Sequence, residues 1–179
     1  NLDDHDRSNR YVARDFGGNY LAFLGPNGIV FSNGDNDTFP LWYNQEVEGN
    51  RTDVRVCNLS YLQTDWYIDQ MKREAYDSKP LPISWQEKDY IAGKNEVVWV
   101  EDAIKQPIDM KTAFDFLLLD DPAAKQNGES YIPSKQIYLP VDAQKAISTG
   151  TVAPEDAAKI VPQIDLTLNR RLTKSELMV

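Results

Sequence analysis

Two carboxylates separated by one residue are the feature of this sequence best suited to chemistry. Asp35 and Asp37 flank Asn36, a few residues after the short apolar run at 29–31. Carboxylates at this spacing can hold a divalent cation, which in turn can neutralise a diphosphate. They can equally begin a helix, whose positive end favours negative charge. Helix capping is the ordinary interpretation of the pair, and a divalent-cation site at Asp35 and Asp37 is the alternative.

The sequence offers few other groups for catalysis. His5 is the only histidine, so any Ser-His-Asp arrangement would depend on that one residue. Cys57 is the only cysteine, which excludes an internal disulfide and a cysteine-based metal cluster, and its apolar surroundings predict an inert buried thiol. No glycine-rich phosphate loop follows a predicted strand. The formal net charge of -9 argues against nucleic acid as a partner, since a phosphate backbone requires a basic face.

The elements that position the acidic pair are predicted to be a strand, a helix and a second strand. The run at 29–31 ends at Asn33 and a glycine, as a buried strand ending in a turn does. Thr38 is predicted to cap the helix that follows, with Pro40 in its first turn. Residues 54–59 include β-branched and apolar side chains that predict the second strand. The two strands of such a βαβ unit should lie parallel, with a right-handed crossover.

Both predicted strands are followed by small polar residues and by aromatic ones. Ligands of βαβ units collect outside the carboxyl ends of the strands, so we predict a binding site at that edge. The same polar residues are also common in turns that have no ligand. The predicted ligand-binding residues are Asn33, Asp35, Asn36, Asp37, Trp42, Tyr43, Asn58, Ser60, Tyr61, Asp65 and Trp66.

The rest of the chain alternates between predicted helices and strands. An apolar stripe at four-residue spacing predicts a helix that packs beside the first strand, although two glycines interrupt it; the stripe consists of Val12, Phe16, Tyr20 and Leu24. Further strands are predicted at 96–100, 136–141 and 163–169, and further helices after Thr64, Asp109, Asp142 and Ala153. This alternation predicts an α/β fold: a single domain over residues 1–179 with three layers and a mainly parallel, Rossmann-like sheet.

The last residues indicate a piece of a longer protein. Thr173 and Glu176 have the spacing of a capping box, in which two side chains satisfy backbone groups at the start of a helix. That helix would begin only a few residues before the end of the sequence. No apolar run approaches about 18 residues, so we expect no membrane-spanning helix within the chain itself.

One long segment resembles a known family. The segment is NGDNDTFPLWYNQEVEGNRTDVRVCNLSYLQTDWYIDQMKREAY, and the resemblance extends to DHDRSNRYVARDFGGNYL before it and to LTKSELMV at the end. These sequences are similar to a Bacteroidetes family of multi-pass membrane proteins of unknown function. That family is grouped with membrane glycosyltransferases similar to protein O-mannosyltransferases.

The resemblance implies a soluble extramembrane domain that follows the hydrophobic spans, on the periplasmic or extracytoplasmic face. The implied partners are the membrane-embedded remainder of the same chain, an acceptor protein and a lipid-linked sugar. Catalytic carboxylates of such enzymes lie near the first spans, so no catalytic residue is assigned to this chain. A divalent cation is the one cofactor that the residues suggest.

Three functions stay open from the sequence. The first is a non-catalytic domain that binds glycan or acceptor protein, or docks on the membrane half. In that case Trp42, Tyr43, Tyr61 and Trp66 would stack on sugar rings, and the polar residues would bind hydroxyl groups. The second is a metal-dependent glycosyl- or phosphoryl-transfer enzyme that uses Asp35 and Asp37. The third is a structural assembly domain without a ligand.

Overall fold

The chain forms two compact units. The structure is a computed structural model that describes residues 5–6 and 8–179. Unit 1 comprises the described residues up to Lys94 together with Met178–Val179, and unit 2 comprises Asn95–Leu177. The expectation of a single domain over the whole chain stays a prediction.

Short helices and short strands alternate along the described residues. The helices are α1 Val12–Ala22, α2 Asp35–Glu46, α3 Asp65–Met71, α4 Glu87–Tyr90, α5 Met110–Leu117, α6 Ala143–Ser148 and α7 Lys174–Met178. The strands are β1 Ile29–Ser32, β2 Arg55–Asn58, β3 Val97–Val100, β4 Ile108–Asp109, β5 Lys125–Gln126, β6 Glu129–Ile132, β7 Gln136–Pro140, β8 Gln163–Thr167 and β9 Arg171–Thr173. No helix in this part of the chain is both long enough and apolar enough to cross a bilayer.

The predicted βαβ unit is present in unit 1. Strands β1 and β2 pair in parallel, with Ile29 opposite Arg55 and Ser32 opposite Asn58. Helix α2 connects them, so both strands end at the same edge. The parallel pairing expected from the sequence is confirmed for these two strands.

The prediction of a three-layer, mainly parallel, Rossmann-like sheet is wrong. The described strands form three small sheets with the orders β1-β2, β5-β6-β3-β9 and β4-β7-β8. Strand β3 is parallel to β6 but antiparallel to β9, and β7 is parallel to β4 but antiparallel to β8. The fold is therefore mixed α/β, with both orientations in each of the two larger sheets.

The connection between β7 and β8 shows why the prediction failed. It contains α6 and a 3₁₀ helix at Pro154–Lys159, and the strand–helix–strand order suggested a parallel crossover. Neither helix buries a residue, so they cannot cover a sheet as a crossover helix does. Strand β8 instead returns antiparallel, with Ile137 opposite Leu166.

Helix α1 forms where it was predicted, but its buried face is offset from the predicted stripe by about 100°, one residue around the helix. Val12 is 81% exposed, and Phe16 and Tyr20 are also exposed, whereas Leu24 packs against the core. The buried residues are Gly17 and Leu21. A Cβ atom added at Gly17 would lie 2.3 Å from the Pro40 carbonyl oxygen of α2. The glycine that weakened the sequence prediction is therefore the point where α1 contacts α2.

Helix α2 begins one turn earlier than predicted. Its N-cap is Gly34, whose φ of 89° lies in the left-handed region that favours glycine. Thr38 is inside the helix and fully buried, and its hydroxyl donates to the Gly34 carbonyl at 2.6 Å. The assignment of Thr38 as the cap is therefore wrong, since the turn at Gly34 already allows the helix to begin at Asp35.

The core of unit 1 lies between α1 and the elements of this βαβ unit. Its central cluster consists of Leu21, Val30, Leu41, Val54 and Val56. Each of these residues is at most 7% exposed, so one core joins α1, α2 and both strands. This core fixes the position of α2, which carries aromatic residues towards β2 and α3.

Candidate functional site

Four aromatic side chains form a continuous row on unit 1. Adjacent ring centroids in the row are 5.8, 6.1 and 6.1 Å apart, and the members of this aromatic row are, in order, Phe39, Trp42, Tyr61 and Trp66. The first two pairs are stacked with interplanar angles of 30° and 29°. Aromatic contacts at these distances are favourable, so each ring in the row is stabilised by its neighbours.

A cleft of about 350 Å³ adjoins the aromatic row. Five aromatic residues line it. Trp42 belongs to α2, Tyr61 follows β2, Trp66 and Tyr67 belong to α3, and Tyr76 follows α3. Trp66 is 56% exposed and Tyr76 is 63% exposed, whereas Tyr67 is buried. The cleft therefore has an aromatic wall that solvent can reach and a closed apolar base.

Polar groups interrupt the apolar lining of this aromatic cleft. They are contributed by Gln45, Glu46, Arg55, Gln70 and Ser78. The Tyr76 hydroxyl donates to the Glu46 carboxylate, which raises the pKa of Tyr76 because the hydrogen bond favours the protonated phenol. The Gln45 amide donates to the carbonyls of Arg51 and Val54 at 2.8 and 2.7 Å. A cleft with aromatic walls and a few fixed polar groups is typical of small-molecule sites.

Arg55 is the buried cation of the cleft. It is 4% exposed, and its guanidinium donates to the carbonyls of Gln70, Met71 and Arg73 and to the Ser78 hydroxyl. These carbonyls lie at and just beyond the C-terminus of α3, where helix carbonyls lack partners within the helix. Arg55 therefore fixes the end of α3 that borders the cleft.

A buried polar network holds the carboxyl ends of β1 and β2. The hydroxyl groups of Ser32 and Thr38 are 2.7 Å apart, and the Asn58 amide donates to the Thr38 hydroxyl at 3.0 Å. The Asn58 side-chain oxygen accepts from the backbone nitrogens of Ser60 and Tyr61. Asn58 is fully buried, so its side chain is committed to shaping the turn that carries Tyr61.

The turns after the two strands meet, as the sequence predicted. The Tyr61 hydroxyl donates to an Asp35 carboxylate oxygen at 2.7 Å, and this bond raises the pKa of Tyr61 because it favours the protonated hydroxyl. Asn33, Asn36 and Asp37 are exposed beside this contact. The first-turn carboxylates Asp35 and Asp37 lie at the positive end of α2, where negative charge stabilises a helix.

The remaining predicted ligand residues lie apart from the cleft lining. The Tyr43 hydroxyl donates to Glu48 at 3.0 Å. The Asp65 carboxylate accepts from the backbone nitrogens of Trp66 and Ala92. Ser60 is exposed on the turn after β2. Of the predicted residues, the cleft lining contains Trp42, Tyr61 and Trp66.

The described residues do not place three metal-ligating side chains of His, Cys, Asp or Glu together. The divalent-cation site at Asp35 and Asp37 therefore stays a prediction from the sequence alone. Burial raises the pKa of Cys57 to about 12, as expected for an inert core thiol.

The sequence interpretation missed Arg55, Tyr67 and Tyr76 as residues of the site. Tyr67 is buried like a core residue, yet one side of it lines the cleft. Arg55 had a usable signal, because an arginine between two valines of a buried strand needs buried partners. Tyr76 follows α3 in a segment without any periodic pattern, so no sequence signal pointed to it.

Comparison with known proteins gives one match. A family model described as TMEM260-associated domain 2 matches residues 13–179. No curated protein and no solved structure matches the chain.

Proposed function

The chain belongs to the TMEM260-associated domain 2 family, and from this premise we propose that it is the non-catalytic saccharide-binding domain of a membrane glycosyltransferase. Membership identifies it as an accessory domain of a TMEM260-like protein. The saccharide ligand and the transferase activity of the whole protein are the proposed parts.

The aromatic cleft is the observation that carries the proposal. A sugar ring has an apolar C–H face and a polar edge of hydroxyl groups, and an aromatic face attracts the C–H groups. Trp66 is 56% exposed beside the cleft, and Trp42 and Tyr61 continue the aromatic surface. Because neighbouring rings of the row already contact one another, they offer a saccharide a stacking surface that is partly preformed.

The polar lining suits the edges of a sugar. The Gln70 amide can donate and accept hydrogen bonds to vicinal hydroxyl groups, the Glu46 carboxylate can accept them, and the Gln45 amide oxygen can accept because its nitrogen already donates to two carbonyls. Because several of these groups are already held by neighbours, the cleft is largely preformed. This supports recognition of a short saccharide segment rather than catalysis.

The setting of this domain follows from the resemblance to the membrane glycosyltransferases. We place it on the extracytoplasmic, periplasmic face of a membrane-anchored protein of Bacteroidetes. There it would meet a lipid-linked sugar or a glycosylated acceptor protein. The alternatives of an enzyme based on Asp35 and Asp37 and of a structural assembly domain stay predictions.

Calorimetric titration of the chain with neutral and acidic oligosaccharides tests the proposal. Replacing Trp66 with alanine removes the exposed end of the stacking surface, so we expect binding about tenfold weaker or worse. The matched control is Trp99→Ala, because Trp99 is 46% exposed but belongs to β3 in unit 2. Binding that is unaffected by Trp66→Ala, or no binding of any saccharide, would refute the proposed function.

A further inference from the structure

Arg55 carries a buried positive charge that has no carboxylate partner among residues 5–6 and 8–179. Its side chain takes part in none of the ion pairs among the described residues. The electrostatic influences on it come from burial and from Tyr67 and Cys57, and neither of these groups is charged at neutral pH. Burial lowers the pKa of Arg55. A buried charge normally has an opposite charge beside it, so this one calls for an explanation.

One donor of the same guanidinium is unused. The Nε atom of Arg55 is buried and has no hydrogen-bond partner within the described part of the chain. Unpaired buried donors of this kind are rare and costly in native proteins, so the position of this side chain needs a physical reason. Arg55 lines the aromatic cleft.

A structural role accounts for the rest of the side chain. One terminal nitrogen of the guanidinium donates to the Gln70 carbonyl at 2.8 Å and to the Arg73 carbonyl at 2.6 Å, which fixes the end of α3. A neutral donor such as glutamine could also bind carbonyl oxygens. The carbonyls at the end of α3 offset part of the positive charge, but a full cation with no carboxylate beside it among the described residues is more than capping requires.

We propose that the aromatic cleft takes an acidic saccharide, whose carboxylate or phosphate group lies towards the wall formed by Arg55. This inference rests on the proposed function, since it names the class of saccharide. Because Nε itself is buried, the guanidinium attracts the anion mainly through its charge, which acts across the low-dielectric wall without direct contact.

The second charged group of the cleft fixes the orientation of the ligand. Glu46 is exposed at the rim and is bonded by the Tyr76 hydroxyl, whereas Arg55 lies deep. Arg55 and Glu46 are the charged side chains of the lining. The acidic group therefore lies inward, away from Glu46, and the hydroxyl edge of the sugar faces the rim.

Pairs of ligands that differ in the presence of an acidic group test the inference on the whole chain. Oligogalacturonates are compared with their carboxyl-reduced counterparts, and mannose 6-phosphate with mannose. We expect the acidic member of at least one pair to bind about tenfold more tightly, and the two pairs distinguish a carboxylate from a phosphate ligand. Added salt should reduce this preference only modestly, because buried charges are weakly screened.

Substitutions at two positions, Glu46 and Arg55, assign the preference to the cleft. Glu46→Gln removes the opposing charge at an exposed position and should increase the acidic-to-neutral affinity ratio severalfold. Arg55→Met should reduce that ratio to about one, and Arg55→Lys should retain most of it. The ratio of the two affinities is the readout, because partial unfolding weakens the binding of both ligands alike and leaves their ratio unchanged.

The outcomes separate this inference from the proposed function. Acidic and neutral saccharides that bind equally well would overturn the inference and leave saccharide binding intact. A preference that neither Glu46→Gln nor Arg55→Met changes would also overturn it, since the charge would then be recognised elsewhere. No saccharide binding at all would refute the proposed function itself.

Discussion

Substitution of Gly17 by alanine tests the packing that positions the cleft. Helix α1 approaches α2 at this residue, and α2 carries Trp42. A Cβ atom at Gly17 would lie 2.3 Å from the Pro40 carbonyl oxygen and 2.5 Å from the Asn44 side-chain nitrogen. The first of these atoms belongs to helix backbone and cannot turn away. The Asn44 nitrogen bridges the helices, donating to the carbonyls of Arg14 and Pro40 at 2.9 Å each.

The magnitude follows from three contributions. Overpacking in a closed contact costs about 1–3 kcal/mol. Displacing the Asn44 amide loses hydrogen bonds worth about 1 kcal/mol each. Alanine is favoured over glycine inside a helix by about 1 kcal/mol, which offsets part of the loss. With both Asn44 hydrogen bonds lost, we expect Gly17→Ala to lower the free energy of unfolding by about 2–4 kcal/mol.

Gly18 provides a control within the same helix. A Cβ atom there would lie 3.2 Å from the Asn44 side-chain oxygen and 3.9 Å from the Asn50 amide, both flexible side-chain atoms. Gly18→Ala should therefore be neutral or stabilising by up to about 1 kcal/mol. Urea unfolding followed by tryptophan fluorescence measures both variants. Equal stabilities for the two variants would refute the helix contact at Gly17.

Two further predictions concern buried polar groups of unit 1. Asn58→Ala should lower the free energy of unfolding by about 3 kcal/mol because it leaves several buried groups without hydrogen-bond partners. The control Asn33→Ala, at an exposed position, should change it by less than about 0.5 kcal/mol. Similar urea midpoints for the two variants would contradict this prediction. Burial raises the pKa of Cys57 from 9.0 to about 12 and that of Tyr67 from 10.0 to about 12, so folding keeps both groups protonated. Stability should therefore fall as pH rises above about 9, and a urea midpoint that stays constant from about pH 8 to 10.5 would disagree with this burial.

The local unit around the site could be predicted from the sequence because its signals are local. A short apolar run that ends at Asn33 and Gly34 marks β1, and the next apolar run follows one helix later. Strands linked by one helix have few possible arrangements, so their parallel pairing followed. That pairing brought Tyr61 to Asp35, as expected.

The wider topology could not be predicted because strand partners are not encoded locally. Strand β9 pairs with β3 although about seventy residues separate them, and no feature of either strand's sequence identifies its partner. The helix–strand alternation suggested crossovers, but α6 lacks the buried face that a covering helix needs. Strand β8 therefore returns antiparallel to β7 instead of extending a parallel sheet.

Two residues show what an apolar pattern overlooks. A pattern that counts large apolar side chains treats Gly17 as a defect, although close helix contact requires it there. By the same pattern Arg55 interrupts an apolar strand, although its buried side chain brings a positive charge to the cleft. In both cases the decisive contact is made with residues far along the chain.

The indole N–H signals of the four tryptophans test saccharide binding at the cleft most directly. Trp42 and Trp66 belong to the aromatic row, whereas Trp85 is buried outside the cleft lining and Trp99 lies in unit 2. In a ¹⁵N-labelled sample titrated with neutral and acidic oligosaccharides, we predict that the signals of Trp42 and Trp66 shift while those of Trp85 and Trp99 stay in place. Signals of Trp42 and Trp66 that remain unmoved, or shifts confined to Trp85 and Trp99, would contradict the saccharide-binding cleft.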